Sequence, residues 1–478
     1  MSQASLFPIS FWLALAALIG LAFWSWGQRE SSLRVPMLMV LATVTIWYVG
    51  DVFYNDYTAY LEEMGSAALS AAWWEVLLFL GAFGVLAPMI HRSLNRKFLG
   101  KPSNLLSLVY YGGVELERFQ EELDLICRFL IGVWLMMTTV ALFRTDFDFQ
   151  GLFMPYLGVK ADPWARGRLG SGYDALLAAA GYFQIALAGA FGVMVAWSCR
   201  AMTFSASLLI SLLLLPGYIF DRTRSSILAT LLPGFCAWVL MRLRAGFIIR
   251  MTILAMGFFV IEGWFKFVIE NRSGTTIAAA FYEGIHAENT GSDGTKHFGL
   301  NMLEELGFIN SYFSNGNYHP SWGENYFAEL ANPIPRVLWP GKPMIGIDYA
   351  IARGQKLDDA DAGVGATIST GMIGQGVINF GRFLGPIAAA ALMALWAAVL
   401  ARQDLMATGP SRLMLYAVGL ALTFNMGRDI TLLVIYPFCF GYLLLLATKK
   451  WLQTALADIA RKKRSSRPGA SSQKLKRC

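Results

Sequence analysis

One feature recurs along this chain and limits what it can become: runs of mostly apolar residues, each long enough to cross a hydrocarbon layer as a helix. About 20 such residues span the roughly 30 Å of a bilayer core. A segment in lipid must also close its backbone hydrogen bonds internally, which selects helices. About eleven runs, within a range of about 10–12, meet that criterion. The first group is Phe11 to Trp26, Val35 to Tyr54, Ala71 to Ile90 and Leu125 to Phe143. The second is Ala175 to Trp197, Phe204 to Phe220, Ile227 to Met241 and Phe247 to Val268, and the third is Leu384 to Ala401, Leu413 to Met426 and Ile430 to Thr448. The expectation is an all-α polytopic integral membrane protein. A composition of 56% hydrophobic and 15% charged residues, with mean hydropathy +0.49, excludes an ordinary soluble domain of this length.

Charge sets the expected topology. Lys449 to Cys478 carries ten of the Lys and Arg residues and reads as a basic cytoplasmic tail, not as a nucleic-acid site; the positive-inside rule explains it without any partner, and contact with anionic membrane lipid is the secondary reading. Alternating back from that tail puts the linkers with Arg92, Arg96, Lys97 and Lys101, with Arg242 and Arg244, and with Arg402 and Arg412 in the cytoplasm. The N-terminus, Asp51 to Ser70, Arg144 to Ser171 and Asp221 to Ser226 then fall outside. A missed short or re-entrant segment, around Leu105 to Val114 or Ile368 to Phe380, reverses the side assigned to the N-terminus. The division is a transmembrane bundle over 1–270, with a cytoplasmic surface segment at 91–124; a large outer loop domain at 271–383; transmembrane helices at 384–448; and the tail at 449–478. Of five cysteines, four sit in or beside apolar runs with no metal-binding spacing, so neither disulfides nor a metal is expected.

Within the outer loop, Trp322 to Pro343 (WGENYFAELANPIPRVLWPGKP) reads as a stiffened turn, because Pro333, Pro335 and Pro340 fix φ and push their predecessors toward extended conformations. Arg336 and Lys342 offer a planar fork and a point charge, a pair suited to pyrophosphate; ordinary loop charge is the alternative reading. Trp322, Tyr326 and Trp339 suit the apolar faces of a sugar, or form a loop core or interface belt. His319 and Glu324 are candidate general bases for a sugar hydroxyl. Arg222 and Arg224, in a short outer turn where positive charge runs against topology, make either an anion site at a helix N-terminus or, through Asp221 and Arg224, a surface ion pair. The pairs Asp146 with Asp148 and Asp359 with Asp361 have DxD spacing but no further metal-site support. Glu262 with Lys266, and Arg428 with Asp429, read as structural pairs.

The blocks WGENYFAEL, NPIPRVLWPGKP and GVGATISTGMIGQGVINFG, in that order ahead of a hydrophobic segment, resemble the Wzy-type oligosaccharide repeat-unit polymerases, within the superfamily that includes the O-antigen ligases. The match falls at Ile334 to Pro343 and Asn379 to Gly381, with Thr223 to Ser225 similar to the family's short outer-turn element; it covers about a quarter of the chain. The resemblance implies a GT-C-like bundle in a bacterial inner membrane with a periplasmic active site. It implies transfer of glycan from undecaprenyl pyrophosphate to a sugar hydroxyl of the next lipid-linked repeat unit, with no cofactor. Arg336, Arg224, and Arg222 or Lys342 would stabilise the leaving group, and His319 or Glu324 would act on the acceptor. Implied partners are the undecaprenyl-pyrophosphate-linked oligosaccharide, a flippase and a chain-length regulator. The alternatives are a ligase to a lipid or protein acceptor, a polyprenyl-phosphate-sugar transferase relying on early outer acids such as Asp51, Asp56, Glu62 or Glu63, and a polysaccharide or lipid transporter.

Overall fold

The computed structural model describes residues 7–28, 31–98, 101, 114–155, 161–164, 174–219, 224–242, 246, 301–331, 334, 338–343, 346–353, 368–407 and 409–465, with scattered positions between 249 and 264. Every regular element among them is helical. The α-helices of six residues or more are, in chain order, α1 (Ile9–Gly27), α2 (Arg34–Val44), α3 (Tyr57–Leu94), α4 (Val114–Arg144), α5 (Asp174–Trp197), α6 (Ala201–Ile219) and α7 (Arg224–Cys236). They continue with α8 (Met302–Ser314), α9 (Glu324–Ala331), α10 (Ile347–Ala352), α11 (Gly371–Leu405), α12 (Pro410–Met426) and α13 (Leu432–Ser465). A π-helical turn, Thr45–Val49, and the short Gly50–Tyr54 prolong α2.

Among the described residues, seven helices are long and apolar enough to cross a membrane: Ile9–Gly27, Arg34–Phe53, Tyr57–Leu94, Leu116–Arg144, Ala179–Trp197, Ala201–Ile219 and Gly371–Leu405. The chain is a multi-pass helical membrane protein, and each of these helices overlaps an expected run. Of the remaining runs, Ile227 to Met241 is the 13-residue α7 followed by a π-helical turn, Ala237–Arg242. Leu413 to Met426 is the 17-residue α12, almost wholly buried, and Ile430 to Thr448 is the apolar first part of α13. Half of Phe247 to Val268 lies outside the described residues, as does all of the stretch 105–113.

Two spanning elements are broken at glycine. In α3 the break is Gly65 (φ 81°), and in α11 it is Gly381 (φ 77°). Left-handed φ is open to glycine at no steric cost, so the chain turns there without strain. At Gly381 the turn folds the buried half Gly371–Phe380 back against the following half. A Cβ on Gly376 would strike the carbonyl oxygen of Gly385, which means that the two backbones touch. Small residues permit that approach, as at other close crossings of membrane helices. The segment around Ile368 to Phe380 is therefore a short helix tucked inside the protein.

Helix α8 is wedged between the two broken elements. Gly307 faces Met64 and Leu69, on either side of the α3 break, while Leu306 and Ile309 face Gly374 of α11. Met302 to Asn310 are all buried, so this piece of the expected outer loop lies within the bundle. Further polar contacts tie the spanning helices together. Trp47 Nε1 donates to the Phe424 carbonyl (2.9 Å), and Trp396 Nε1 donates to Thr423 Oγ1 (2.9 Å).

The stiffened turn expected over Trp322 to Pro343 is corrected in its first half, where Glu324–Ala331 is helix. No proline lies in that stretch, and the helix stops at Ala331, just before Asn332 and Pro333, as the restriction on residues preceding proline requires.

Replacing Gly376 or Gly385 by leucine is expected to drive the α11 halves apart and abolish recovery of folded protein. Gly20→Leu, where nothing lies within 4 Å, should leave the thermal unfolding midpoint in detergent nearly unchanged. Equal tolerance at the two kinds of site would contradict the hairpin.

Candidate functional site

Four polar anchors hold α8, and each begins with a buried group that needs a partner. The first four N–H groups of a helix lack intrahelical acceptors, and the N-cap residue Asn301 supplies none from its side chain. Asp51, arriving from α2, does so instead: its Oδ2 accepts from the N–H groups of Leu303 (2.8 Å) and Glu304 (3.1 Å). Its Oδ1 accepts from Asn55 Nδ2 (2.6 Å) and Tyr60 Oη (2.9 Å). A negative group at this end also agrees with the helix dipole. Halfway along, Glu75 Oε2 accepts from Asn310 Nδ2 (2.8 Å).

Glu305 is the third anchor. It accepts from Tyr349 Oη (2.7 Å) and pairs with Arg353 Nη2 (3.0 Å), whose guanidinium lies 3.6 Å from the Phe308 ring centroid. Burial alone would lower the Arg353 pKa, but the Glu305 carboxylate outweighs it and holds the guanidinium above its ordinary value. These contacts fasten α10 to α8. At the far end, Arg382, next to the Gly381 turn, donates from Nη2 to the Asn310 carbonyl (2.6 Å) and to Ser314 Oγ (2.7 Å).

The sequence-predicted residues sit on this frame. Beyond α8 the chain turns at Tyr318 to Gly323, and Trp322 adopts φ 50°, unusual for a bulky residue. The turn is bonded to the hairpin by Ser321 N–H to the Ile378 carbonyl (2.9 Å), by Ser321 Oγ to Asn379 Oδ1 (3.3 Å) and by Tyr326 N–H to the same oxygen (3.3 Å). Asn379 is itself fixed, donating from Nδ2 to the Gln375 carbonyl (2.8 Å). Tyr326 stacks on Phe380 with ring centroids 6.0 Å apart. His319, Trp322 and Glu324 are exposed on this turn and on the first residue of α9. Asn325 Oδ1 accepts from Gly346 N–H (3.0 Å), which links α9 to the start of α10.

Trp339 meets Phe327 edge-on at 6.1 Å, and Lys342 donates from Nζ to the Ile334 carbonyl (3.0 Å). Arg336 and Arg222 lie outside the described residues, as does the side chain of Arg224, whose backbone opens α7. Asp359, Asp361, Glu262, Lys266, His286 and His297 also lie outside them. His319 and Trp322 thus lie on one short turn, with Glu324 and Tyr326 in the first turn of the helix that follows it.

One expectation changes. Asp51 belongs to the helical segment Gly50–Tyr54 and is buried against α8; Asp56 caps α3 by accepting from Thr58 N–H (2.9 Å). Asp51 is thus not an exposed acid, whereas Asp56, Glu62 and Glu63, the other acids named for the polyprenyl-phosphate-sugar reading, are exposed. Arg428 and Asp429 act together on the start of α11: Arg428 Nε donates to Ser369 Oγ (2.7 Å), and Asp429 Oδ1 accepts from Thr370 N–H (3.2 Å). Burial pushes the Asp429 carboxyl up to about 6, against the pull of Arg428. Burial, then Asp348, pushes the Tyr318 hydroxyl up to about 12.

Glu75, Glu305, Arg353 and Arg382 were not singled out from the sequence. For Glu75 the signal was present, since an acid inside a run such as Ala71 to Ile90 is costly unless partnered. Among the described residues no three His, Cys, Asp or Glu gather as a metal site. No family model matches the chain, and no curated protein or solved structure matches it significantly.

Arg353→Leu is expected to cost about 3–5 kcal/mol of stability, because it leaves the Glu305 carboxylate buried without its cation. The double variant Arg353→Leu with Glu305→Leu should recover part of that loss in thermal unfolding of the purified protein. Equal loss in both would show that the pair is not what fastens α10.

Proposed function

We propose that this protein is a membrane glycosyltransferase that polymerises lipid-linked oligosaccharide repeat units, taking glycan from a polyprenyl pyrophosphate such as undecaprenyl pyrophosphate. The observation that carries the reading is the bonding of the Trp322 turn to Asn379. Two of the blocks on which the resemblance rests, WGENYFAEL and VINFG, stand more than fifty positions apart, yet Ser321 and Tyr326 both bond the Asn379 side chain. A multi-pass bundle with such a rigid turn suits chemistry on a substrate whose lipid stays in the membrane.

In the proposed reaction an acceptor sugar hydroxyl attacks the anomeric carbon of the donor glycan. The bond from that carbon to the pyrophosphate oxygen breaks, the pyrophosphate leaves with the electron pair, and the hydroxyl proton passes to His319 or Glu324. Both side chains are exposed beside the hairpin turn, where an acceptor can approach them. Arg336, Arg224, and Arg222 or Lys342 carry the positive charge that the departing pyrophosphate needs. Trp322 and Trp339 offer aromatic faces to the sugar, while Tyr326, stacked on Phe380, backs the turn that carries Trp322. A well-placed donor to developing negative charge in an occluded site is typically worth about 3–4 kcal/mol.

The test is the size distribution of surface or carrier-linked glycan in cells lacking the protein, in cells with it restored, and in cells carrying Arg336→Ala at matched membrane abundance. Polymerisation predicts single repeat units in the first and the third, with turnover lowered by roughly a hundredfold or more in the variant. Long chains accumulating on the carrier would indicate a ligase. Unchanged chain length in every strain would overturn the reading altogether.

A further inference from the structure

Helix α9 is inside out for a helix in water. Its inward residues are Asn325, Ala328 and Glu329, the last only 4% exposed, whereas Phe327 and Leu330 are 53% and 67% exposed. In water the arrangement would be reversed, because burying a large apolar side chain gains about 1.5–3 kcal/mol and burying a carboxylate costs. The exposed apolar face continues beyond the helix through Ile334 and Leu338, the latter 77% exposed, and precedes it at Trp322.

This face also runs into surface that belongs to a spanning helix. Gly323 lies against the Phe380 ring and Pro320 against Gly381. The residues that follow, Phe383 and Leu384, are exposed apolar side chains at the start of the spanning half of α11. Exposed leucines such as Leu209 and Leu212 mark the outward side of spanning helix α6 in the same way. Acyl chains contact that kind of surface, and α9 presents its continuation.

We propose that α9, Ile334 and residues 338–342 lie in the bilayer interface, with Phe327, Leu330 and Leu338 immersed in lipid. The occupant of the face is the membrane's own lipid. An interfacial helix buries its apolar side about 5–10 Å into the headgroup and acyl boundary. Trp339 and Lys342 then stand at headgroup level, where amphipathic rings and long cationic side chains settle. The inference needs only the membrane-spanning helices and holds whether or not the protein transfers sugars.

The experiment attaches a nitroxide to single cysteines in the full chain, with Cys199, Cys439 and Cys478 changed to serine, reconstituted without substrate in phosphatidylcholine and phosphatidylglycerol vesicles. Positions Phe327→Cys, Leu330→Cys and Leu338→Cys are compared with Leu209→Cys on spanning helix α6 and Asn317→Cys on the exposed turn. Collision with oxygen and with a water-soluble nickel chelate should rank the first three with Leu209, at a depth of about 5–10 Å. Nickel access matching Asn317 would overturn the proposal. So would low access to both reagents with cysteine cross-links between copies, which would show a second chain covering the face. Where one substitution prevents folding, the other two positions carry the same comparison.

Discussion

Helix α8 carries its N-terminal N–H groups, Glu305 and Asn310 into the middle of an apolar bundle, and much of the described structure follows from satisfying those groups. A buried polar group without a partner costs about 1–3 kcal/mol, and an isolated buried charge costs far more. Four other elements answer that demand. Asp51 from the end of α2 closes the helix N-terminus, Glu75 from α3 takes the Asn310 amide, Arg353 beside α10 pairs with Glu305, and Arg382 from α11 binds the carbonyl of Asn310. Each partner belongs to a different stretch of chain, so satisfying α8 fixes the relative positions of all of them.

The glycine breaks are the other half of that constraint. A buried helix at this depth needs room, and α3 and α11 provide it by breaking at Gly65 and Gly381. The halves of α11 then close on each other through Gly376 and Gly385, where any larger side chain would strike backbone. The turn at Gly381 is also what presents Asn379 to Ser321 and Tyr326. Packing in the core and placement of the candidate site are thus one arrangement.

The spanning helices were legible in the sequence because a 20-residue apolar run has few other fates. Helix α8 was not, since MLEELGFINSYFS has the polarity of a surface helix, and its burial depends on partners as much as about 250 positions away, such as Asp51 for Leu303. Pattern within a window carries no information about such partners. The same holds for α9, whose residues are ordinary by composition and informative only once Glu329 is seen inside and Leu330 outside. His319, Glu324 and Trp322 were legible as candidates because unusual residues cluster there; their attachment to Asn379 was not. Arg353 and Arg382 escaped notice because each is a lone arginine in a loop or at a helix start, without a local motif.

The burial of α8 is the point on which the account rests, and amide hydrogen exchange on the full chain in lipid nanodiscs tests it directly. Once the first turn is passed, the amides of Leu306 to Tyr312 are expected to exchange as slowly as those of Leu69 to Phe83 in α3. Exchange at the rate of the exposed turn 315–317 would place the helix outside the bundle and remove the frame on which the site is built.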